Sequence, residues 1–258
     1  MRITFLGTGV GKYEPDARGY RANTCVLADD LLIDAPPTLQ TSLARAGRTA
    51  GEIRNVLYTH SHSDHFDEDT LRWLLAEAPL RAVAAGPGLA DRVGVVLQDA
   101  CEREGPALLR LEPGQAVEID GLNVLPLEAN HHKPGAGEVM LNFLVSRGDK
   151  AMLYLVDSGL PSWDTVGVLR AARRPVDLLV MDATEAMNDV QEMMWGHGSL
   201  QSVARAACGL RGWDLLRPDA RVFGTHFGAK IVRENPPDPE AAAALGVEMA
   251  EDGMIVEL

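Results

Sequence analysis

The sequence predicts an α/β fold of layered sheets with helices outside. Three observations carry that reading. Short apolar runs of strand length alternate with segments of helical periodicity. Strands dominate first, and strands and helices then mix in both halves. No internal repeat and no long linker divides the 258 residues, so one domain spanning residues 1–258 is expected. A chain of this size can bury roughly 75% of the surface it exposes when unfolded, so it needs no covalent staples.

The elements follow in order. Arg2–Leu6, Thr24–Ala28 and Leu31–Asp34 read as strands, with Asp29-Asp30 as the turn between the last two. Ile53–Thr59 is a further strand that runs into a cluster of histidines. Asp67-Glu68-Asp69 opens a helix to about Glu77, with Leu71, Leu74 and Leu75 on one face and its acidic start matched to the helix dipole. Strands are expected at Arg81–Ala84, Ala116–Ile119, Leu122–Leu127, Met140–Ser146, Ala151–Val156, Val176–Met181 and Ala220–Thr225. Helices are expected at Ala90–Glu104, Trp163–Ala172 and Ser199–Leu210. Asn235-Pro236-Pro237-Asp238-Pro239 is a loop that starts a short alanine-rich helix. Gly246–Leu258 reads as a closing hairpin around Asp252-Gly253. The four tryptophans, Trp73, Trp163, Trp195 and Trp213, read as packing residues, Trp195 being nearest the histidines.

Composition narrows the function. The chain is 46% hydrophobic, which argues against disorder, and its net charge is −13. An acidic surface disfavours DNA or RNA, which basic faces meet, and an anionic membrane, which Lys/Arg clusters meet. Cys25, Cys101 and Cys208 are sparse and lack C-x-x-C spacing, which argues against a disulfide framework and a cysteine zinc site. The first residues turn at Gly7, too early for a secretory apolar region, and no apolar run approaches the roughly 20 residues of a membrane span. A cytoplasmic location is expected, and a homodimer is the common default.

The segment His60-Ser61-His62-Ser63-Asp64-His65 carries the chemistry. Imidazoles and carboxylates are the usual ligands of zinc and similar ions. Two histidines one residue apart can point the same way in extended backbone, and Asp64 and His65 can then address a second point, which makes a two-metal half-site. His131, His132, Asp157, His197 and His226 each follow a predicted strand or precede a helix, where loops converge on sites. One hypothesis thus accounts for all 7 histidines. Asp182 ends a strand and reads equally as a support of the site or as an ordinary strand-end residue.

His60-x-His62-x-Asp64-His65, a later His, Asp157 and His226 resemble the metallo-β-lactamase superfamily over nearly the whole chain. The resemblance implies an αββα sandwich of two mixed sheets with a dinuclear site at one edge. It places one metal on His60, His62 and His131 and the other on Asp64, His65 and His226, with Asp157 bridging and Asp34 supporting the ligands from behind. Leu6-Gly7-Thr8-Gly9-Val10-Gly11, Gly196-His197-Gly198-Ser199-Leu200 and Gly224-Thr225-His226-Phe227 resemble its phosphodiesterase branch, which includes tRNase Z and the phosphoribosyl 1,2-cyclic phosphate phosphodiesterase. His131-x-x-Pro134 matches that branch and favours His131 over His132 as the ligand. In the branch, a His at the position of His197 assists the reacting phosphate and does not bind metal.

The resemblance implies a hydrolase with two divalent ions, zinc first and manganese or iron suiting the same donors. Its nucleophile would be metal-bound hydroxide, with Asp64 and Asp157 helping hold the water and His197 stabilising or protonating the leaving oxygen. A small anionic substrate, a phosphodiester and in some cases a cyclic one, is favoured. The interval from His131 to Asp157 is too short for the arm of tRNase Z-like enzymes, and no extra N-terminal cysteines are present, as the phosphonate-pathway enzyme requires. A lactone, ester or thioester hydrolase is the alternative. A tRNA 3′-end endonuclease and a non-catalytic metal-binding regulator stand behind it.

Overall fold

A computed structural model describes residues 1–11, 20–100, 105–131, 135, 137–188 and 195–258. Cys101, His132 and Pro134 lie outside the described residues, as does the end of the helix expected at Ala90–Glu104. Along the chain run β1 (Arg2–Gly7), β2 (Gly9–Val10), β3 (Cys25–Ala28), β4 (Leu31–Ile33), α1 (Leu39–Arg45) and β5 (Asn55–Tyr58). Next come α2 (Glu68–Glu77), β6 (Ala82–Ala85), α3 (Leu89–Ala100), β7 (Ala107–Arg110), β8 (Val117–Ile119) and β9 (Leu122–Glu128). The second half holds β10 (Leu141–Arg147), β11 (Lys150–Leu155), α4 (Trp163–Ala172), β12 (Val176–Asp182), α5 (Leu200–Gly212) and β13 (Leu216–Thr225). It closes with β14 (Phe227–Gly228), α6 (Ala229–Glu234), α7 (Pro239–Ala244), β15 (Glu248–Met249) and β16 (Ile255–Glu257).

Two seven-stranded sheets form, in the orders β16-β1-β3-β4-β5-β6-β7 and β15-β13-β12-β11-β10-β9-β8. Each is antiparallel on one side and parallel on the other. The change falls at β4, antiparallel to β3 and parallel to β5, and at β11, antiparallel to β10 and parallel to β12. Crevices at such points, beyond the carboxyl ends of the strands, are where α/β sheets bind ligands.

Alternation along the strands builds three apolar layers. Between the sheets lie Phe5, Phe143, Tyr154 and Phe223, all fully buried. The outer face of the first sheet packs Leu27, Val56 and Val83 against Leu39 of α1, Leu71 of α2 and Val93 of α3. The outer face of the second packs Leu153 and Leu179 against Leu169 of α4 and Val203 of α5. This is the expected αββα sandwich. Among the described residues no helix is long and apolar enough to cross a membrane.

The tail departs from the expected hairpin. β15 joins the second sheet parallel to β13, whereas β16 joins the first sheet antiparallel to β1. The Asp252-Gly253 turn therefore bridges the two sheets. It is held there because Gly253 N–H donates to Phe5 O (2.7 Å) while the Asp252 carboxylate accepts from Thr8 Oγ1 (2.7 Å) and Ala22 N (2.8 Å). Sequence patterning also passes over α1, β7 and α6, which are short and owe their form to tertiary packing. The tryptophans are a second departure. Trp73 packs against the first-sheet helices, but Trp163, Trp195 and Trp213 are exposed.

The glycine-rich start is explained by close backbone approach. A Cβ on Gly7 would meet Asn23 O at 2.0 Å, and one on Gly9 would meet Arg21 Cβ at 2.7 Å. Replacing Gly7 with Ala is expected to cost about 1–3 kcal/mol through overpacking. Gly167→Ala, mid-α4 with open space around the new Cβ, is expected to gain roughly 0.5–1 kcal/mol. Urea unfolding followed by circular dichroism checks both signs.

Candidate metal centre

The strand ends carry the site. Asp34 follows β4, His60 follows β5 by two residues, Asp157 follows β11 by two, Asp182 ends β12 and His226 follows β13. Asp34, Asp157 and His226 each adopt a left-handed backbone, with φ of 65°, 53° and 62°. Such conformations cost roughly 1–3 kcal/mol each in non-glycine residues and persist where surroundings enforce them. Here they aim Asp157 and His226 into one crevice and Asp34 at the back of the histidine loop that lines it.

At its centre lies the Asp157 carboxylate. Its Oδ2 is 2.9 Å from His60 Nε2, 3.3 Å from His65 Nε2, 3.8 Å from His62 Nδ1 and 4.0 Å from His226 Nε2. Its Oδ1 is 3.3 Å from His131 Nε2 and 3.2 Å from His197 Nδ1. Six imidazoles thus surround one buried carboxylate. Asp64 completes a group with His65 and His226, and its Oδ2 accepts from Gly11 N at 3.4 Å. All the residues expected at the site among those described come together. His60 stands between the two halves: its donor atom groups with His65 and Asp157, while His62 and His131 group with Asp157.

Four of the six imidazoles are aimed from behind. Asp34, fully buried, accepts from His65 Nδ1 (2.8 Å), Thr59 N (2.8 Å) and Thr59 Oγ1 (2.8 Å). Thr59 Oγ1 in turn meets His60 Nδ1 at 2.9 Å. His131 Nδ1 donates to Gly196 O at 2.9 Å, and Thr184 Oγ1 meets His226 Nδ1 at 2.9 Å. In these four rings Nδ1 is engaged outward and Nε2 is turned inward, which is how metal-binding imidazoles are oriented. Inward-facing nitrogens then crowd one another, at 3.2 Å for His65 and His226 and at 2.8 Å for His60 Nε2 and His62 Nδ1.

The donor set fits divalent cations. Buried Asp157 Oδ1 lacks a hydrogen-bond partner, and the crowded nitrogens are lone-pair donors facing a common point. A cation between them satisfies both. Without one, the cluster's electrostatics are divided. Burial raises the Asp157 carboxyl, but the His226 charge and hydrogen bonds from His60, His62 and His65 hold it well below the usual range. Burial and the His65 charge push His60 down to about 4, a neutral ring ready to coordinate.

Sequence patterning left the role of Asp182 open, and the structure places it within the site. Fully buried, it lies 3.1 Å from both His197 Nδ1 and His226 Nδ1, and its Oδ1 accepts from Gly198 N and Thr184 N, each at 2.9 Å. Burial opposes the charge on His197, but the Asp182 hydrogen bond and the charges of Asp182 and Asp157 hold it up at about 9. Its Nε2 has no hydrogen-bond partner among the described residues. Glu138 gave no motif signal, yet its carboxylate accepts from Ser61 N and Ser61 Oγ, both at 2.7 Å, and so fixes the loop between His60 and His62. Asp67, expected as a helix-start charge, caps α2 by accepting from Thr70 N at 2.8 Å. Asp34→Asn is expected to lower metal affinity about 10–100-fold, read by competition with a chromophoric chelator. Glu138→Ala is expected to shift the same reading in the same direction.

Comparison with known proteins agrees with this geometry. Residues 30–227 match the model of the β-lactamase superfamily domain. A ribonuclease Z from Mycobacterium sp. (strain KMS) is 35% identical over 106 residues, and this match spans 38% of the chain and only 36% of the relative. Among solved structures, Zn²⁺-bound PqqB from Methylobacterium extorquens superposes with a TM-score of 0.76 at 19% identity, covering 100% of both chains. A diphosphatase of the PhnP family superposes with a TM-score of 0.67 at 21% identity, covering 100% of this chain and 98% of that one. The chain belongs to the β-lactamase superfamily.

Proposed function

We propose that this chain is a cytoplasmic, dinuclear metal-dependent phosphodiesterase, one catalytic domain acting on a small anionic phosphodiester. The observation that carries the reading is the arrangement of His197: an imidazole beside the cluster, gripped at Nδ1 by buried Asp182, with Nε2 left for a substrate. As the family resemblance implies, His60, His62 and His131 would hold one ion and Asp64, His65 and His226 the other, with Asp157 shared. The close donor groups His62–His131–Asp157 and Asp64–His65–His226 support this, while the His60 donor lies with His65 and Asp157. Zinc suits these donors, as do manganese and iron. Bound there, the pair would neutralise the phosphate, orient it and activate a water as nucleophile.

The chain's own residues do the rest. Asp64 and Asp157 accept hydrogen bonds from the attacking water and set its line of approach. His197 donates a proton from Nε2 to the departing oxygen while Asp182 keeps the ring in place through Nδ1. His62 and His197 are the most open imidazoles of the cluster, at 36% and 29% side-chain exposure, which favours substrate entry between them. The diphosphatase and ribonuclease Z likenesses support chemistry at phosphorus. The net charge of −13 supports a small substrate over tRNA. Free Cys25 and Cys208 support a reducing compartment.

Removing metal with a chelator is expected to abolish turnover of bis-p-nitrophenyl phosphate. It should also remove about 2.7 kcal/mol of stability relative to protein with free metal at a hundredfold excess over Kd, or roughly 5–10 °C in Tm; re-addition restores both. His197→Ala is expected to lower kcat about 10²–10⁴-fold with metal content unchanged. Turnover of a lactone or thioester with none of any phosphodiester would overturn the reading.

A further inference from the structure

Behind the cluster, two buried side chains each reach two imidazoles. Asp182, at the end of β12, has Oδ2 3.1 Å from both His197 Nδ1 and His226 Nδ1. Thr184 Oγ1 faces the same two nitrogens, at 3.2 Å and 2.9 Å, and donates its proton to His226 O at 2.9 Å. The two rings stand nearly parallel over this pair, with centroids 5.7 Å apart and planes inclined by 21°. Thr184 also fastens the chain on either side of His226. Its hydroxyl holds His226 O, and its own carbonyl accepts from Gly228 N at 3.0 Å, so the left-handed turn at His226 (φ 62°) is tied at both ends.

Counting hydrogens shows what Thr184 does. A hydroxyl has one proton and two lone pairs. With the proton on His226 O, Oγ1 meets both Nδ1 atoms as an acceptor. The Asp182 carboxylate is an acceptor too: its Oδ1 takes Gly198 N and Thr184 N, and its Oδ2 is left for the rings. A ring nitrogen between two acceptors carries hydrogen, because a lone pair there would face other lone pairs. Each neutral ring therefore keeps its free lone pair on Nε2, the atom that His226 turns to the cluster and that His197 offers to a reacting oxygen. We propose that Thr184 is a positioning residue that sets the hydrogen of His226 and His197 together, so that one hydroxyl prepares a metal ligand and the proton donor. The His197 half of the proposal rests on the phosphodiesterase reading of the site.

Two substitutions and one spectrum test it. Thr184→Val keeps the side-chain shape and removes the hydroxyl, whereas Thr184→Ser keeps the hydroxyl. Competition with a chromophoric chelator should show Thr184→Val binding one of two zinc ions about 10–100-fold more weakly, with Thr184→Ser close to wild type. At saturating zinc, Thr184→Val should lower kcat on bis-p-nitrophenyl phosphate about 10–100-fold with KM little changed, and Thr184→Ser should restore most of it. In a His197→Ala background the Thr184→Val loss in kcat should shrink while its loss in zinc affinity persists, since only the first passes through His197. Nitrogen-15 NMR of the zinc-loaded wild-type protein reads the hydrogens directly: His226, and His197 in its neutral form, should both carry hydrogen on Nδ1. A neutral His197 with its hydrogen on Nε2, or a folded Thr184→Val protein with wild-type zinc affinity and kcat, would overturn the proposal. The expected spectrum and zinc loss in a protein that hydrolyses no diester would uphold the hold of Thr184 on the rings and sink the assigned reaction. Diester hydrolysis indifferent to Thr184→Val would do the reverse.

Discussion

The Asp157 carboxylate is buried where a bare charge could not persist, and the imidazoles that keep it ionised are drawn from both sheets. His60, His62 and His65 arrive from the end of β5, His131 from beyond β9 and His226 from β13. For one carboxylate to meet all of them, the C-terminal ends of the parallel strands in the two sheets must open into the same crevice. The sandwich geometry is therefore tied to the electrostatics of the site. Low dielectric strengthens each attraction and equally penalises any donor left unmatched, so the cluster works as a unit.

The two sheets meet this requirement in the same way. In each, the strand at the switch from antiparallel to parallel pairing is followed by an aspartate with positive φ: Asp34 one residue after β4 and Asp157 two residues after β11. Their burial is similar and their tasks differ. Asp34 accepts hydrogen bonds from Thr59 and His65 and so organises the histidine loop from behind. Asp157 faces the crevice, and its Oδ1 is left without a hydrogen bond. The difference lies in what each meets, a hydroxyl and a backbone N–H in one case and a ring of inward nitrogens in the other.

The lip of the crevice is held by contacts far apart in the chain. Thr8 O accepts from Phe227 N, which places the glycine-rich start against the residue after His226, and Asp252 ties that start to the tail. The tail can do this only because it crosses between the sheets instead of folding back on itself. On the other side, Gly196 links the Trp195–His197 segment to Asn130 and His131. His131, Trp195 and His197 on that side therefore share one backbone support.

Much of the candidate site was legible in the sequence because several of its donor residues are local. The histidines of His60-Ser61-His62-Ser63-Asp64-His65 are fixed at one- and two-residue spacings by backbone geometry alone, and the remaining candidates were marked by standing at ends of apolar runs. The α/β class was legible for the same reason, since strand and helix periodicities are properties of short windows. What tertiary structure alone decided are relations between windows. Asp182 became the partner of His197 and His226, and Glu138 the support of Ser61, through hydrogen bonds that span between 15 and 77 residues. The tail became a bridge and three tryptophans stayed exposed because strand partners and burial are settled by the packed whole, which no local spacing encodes.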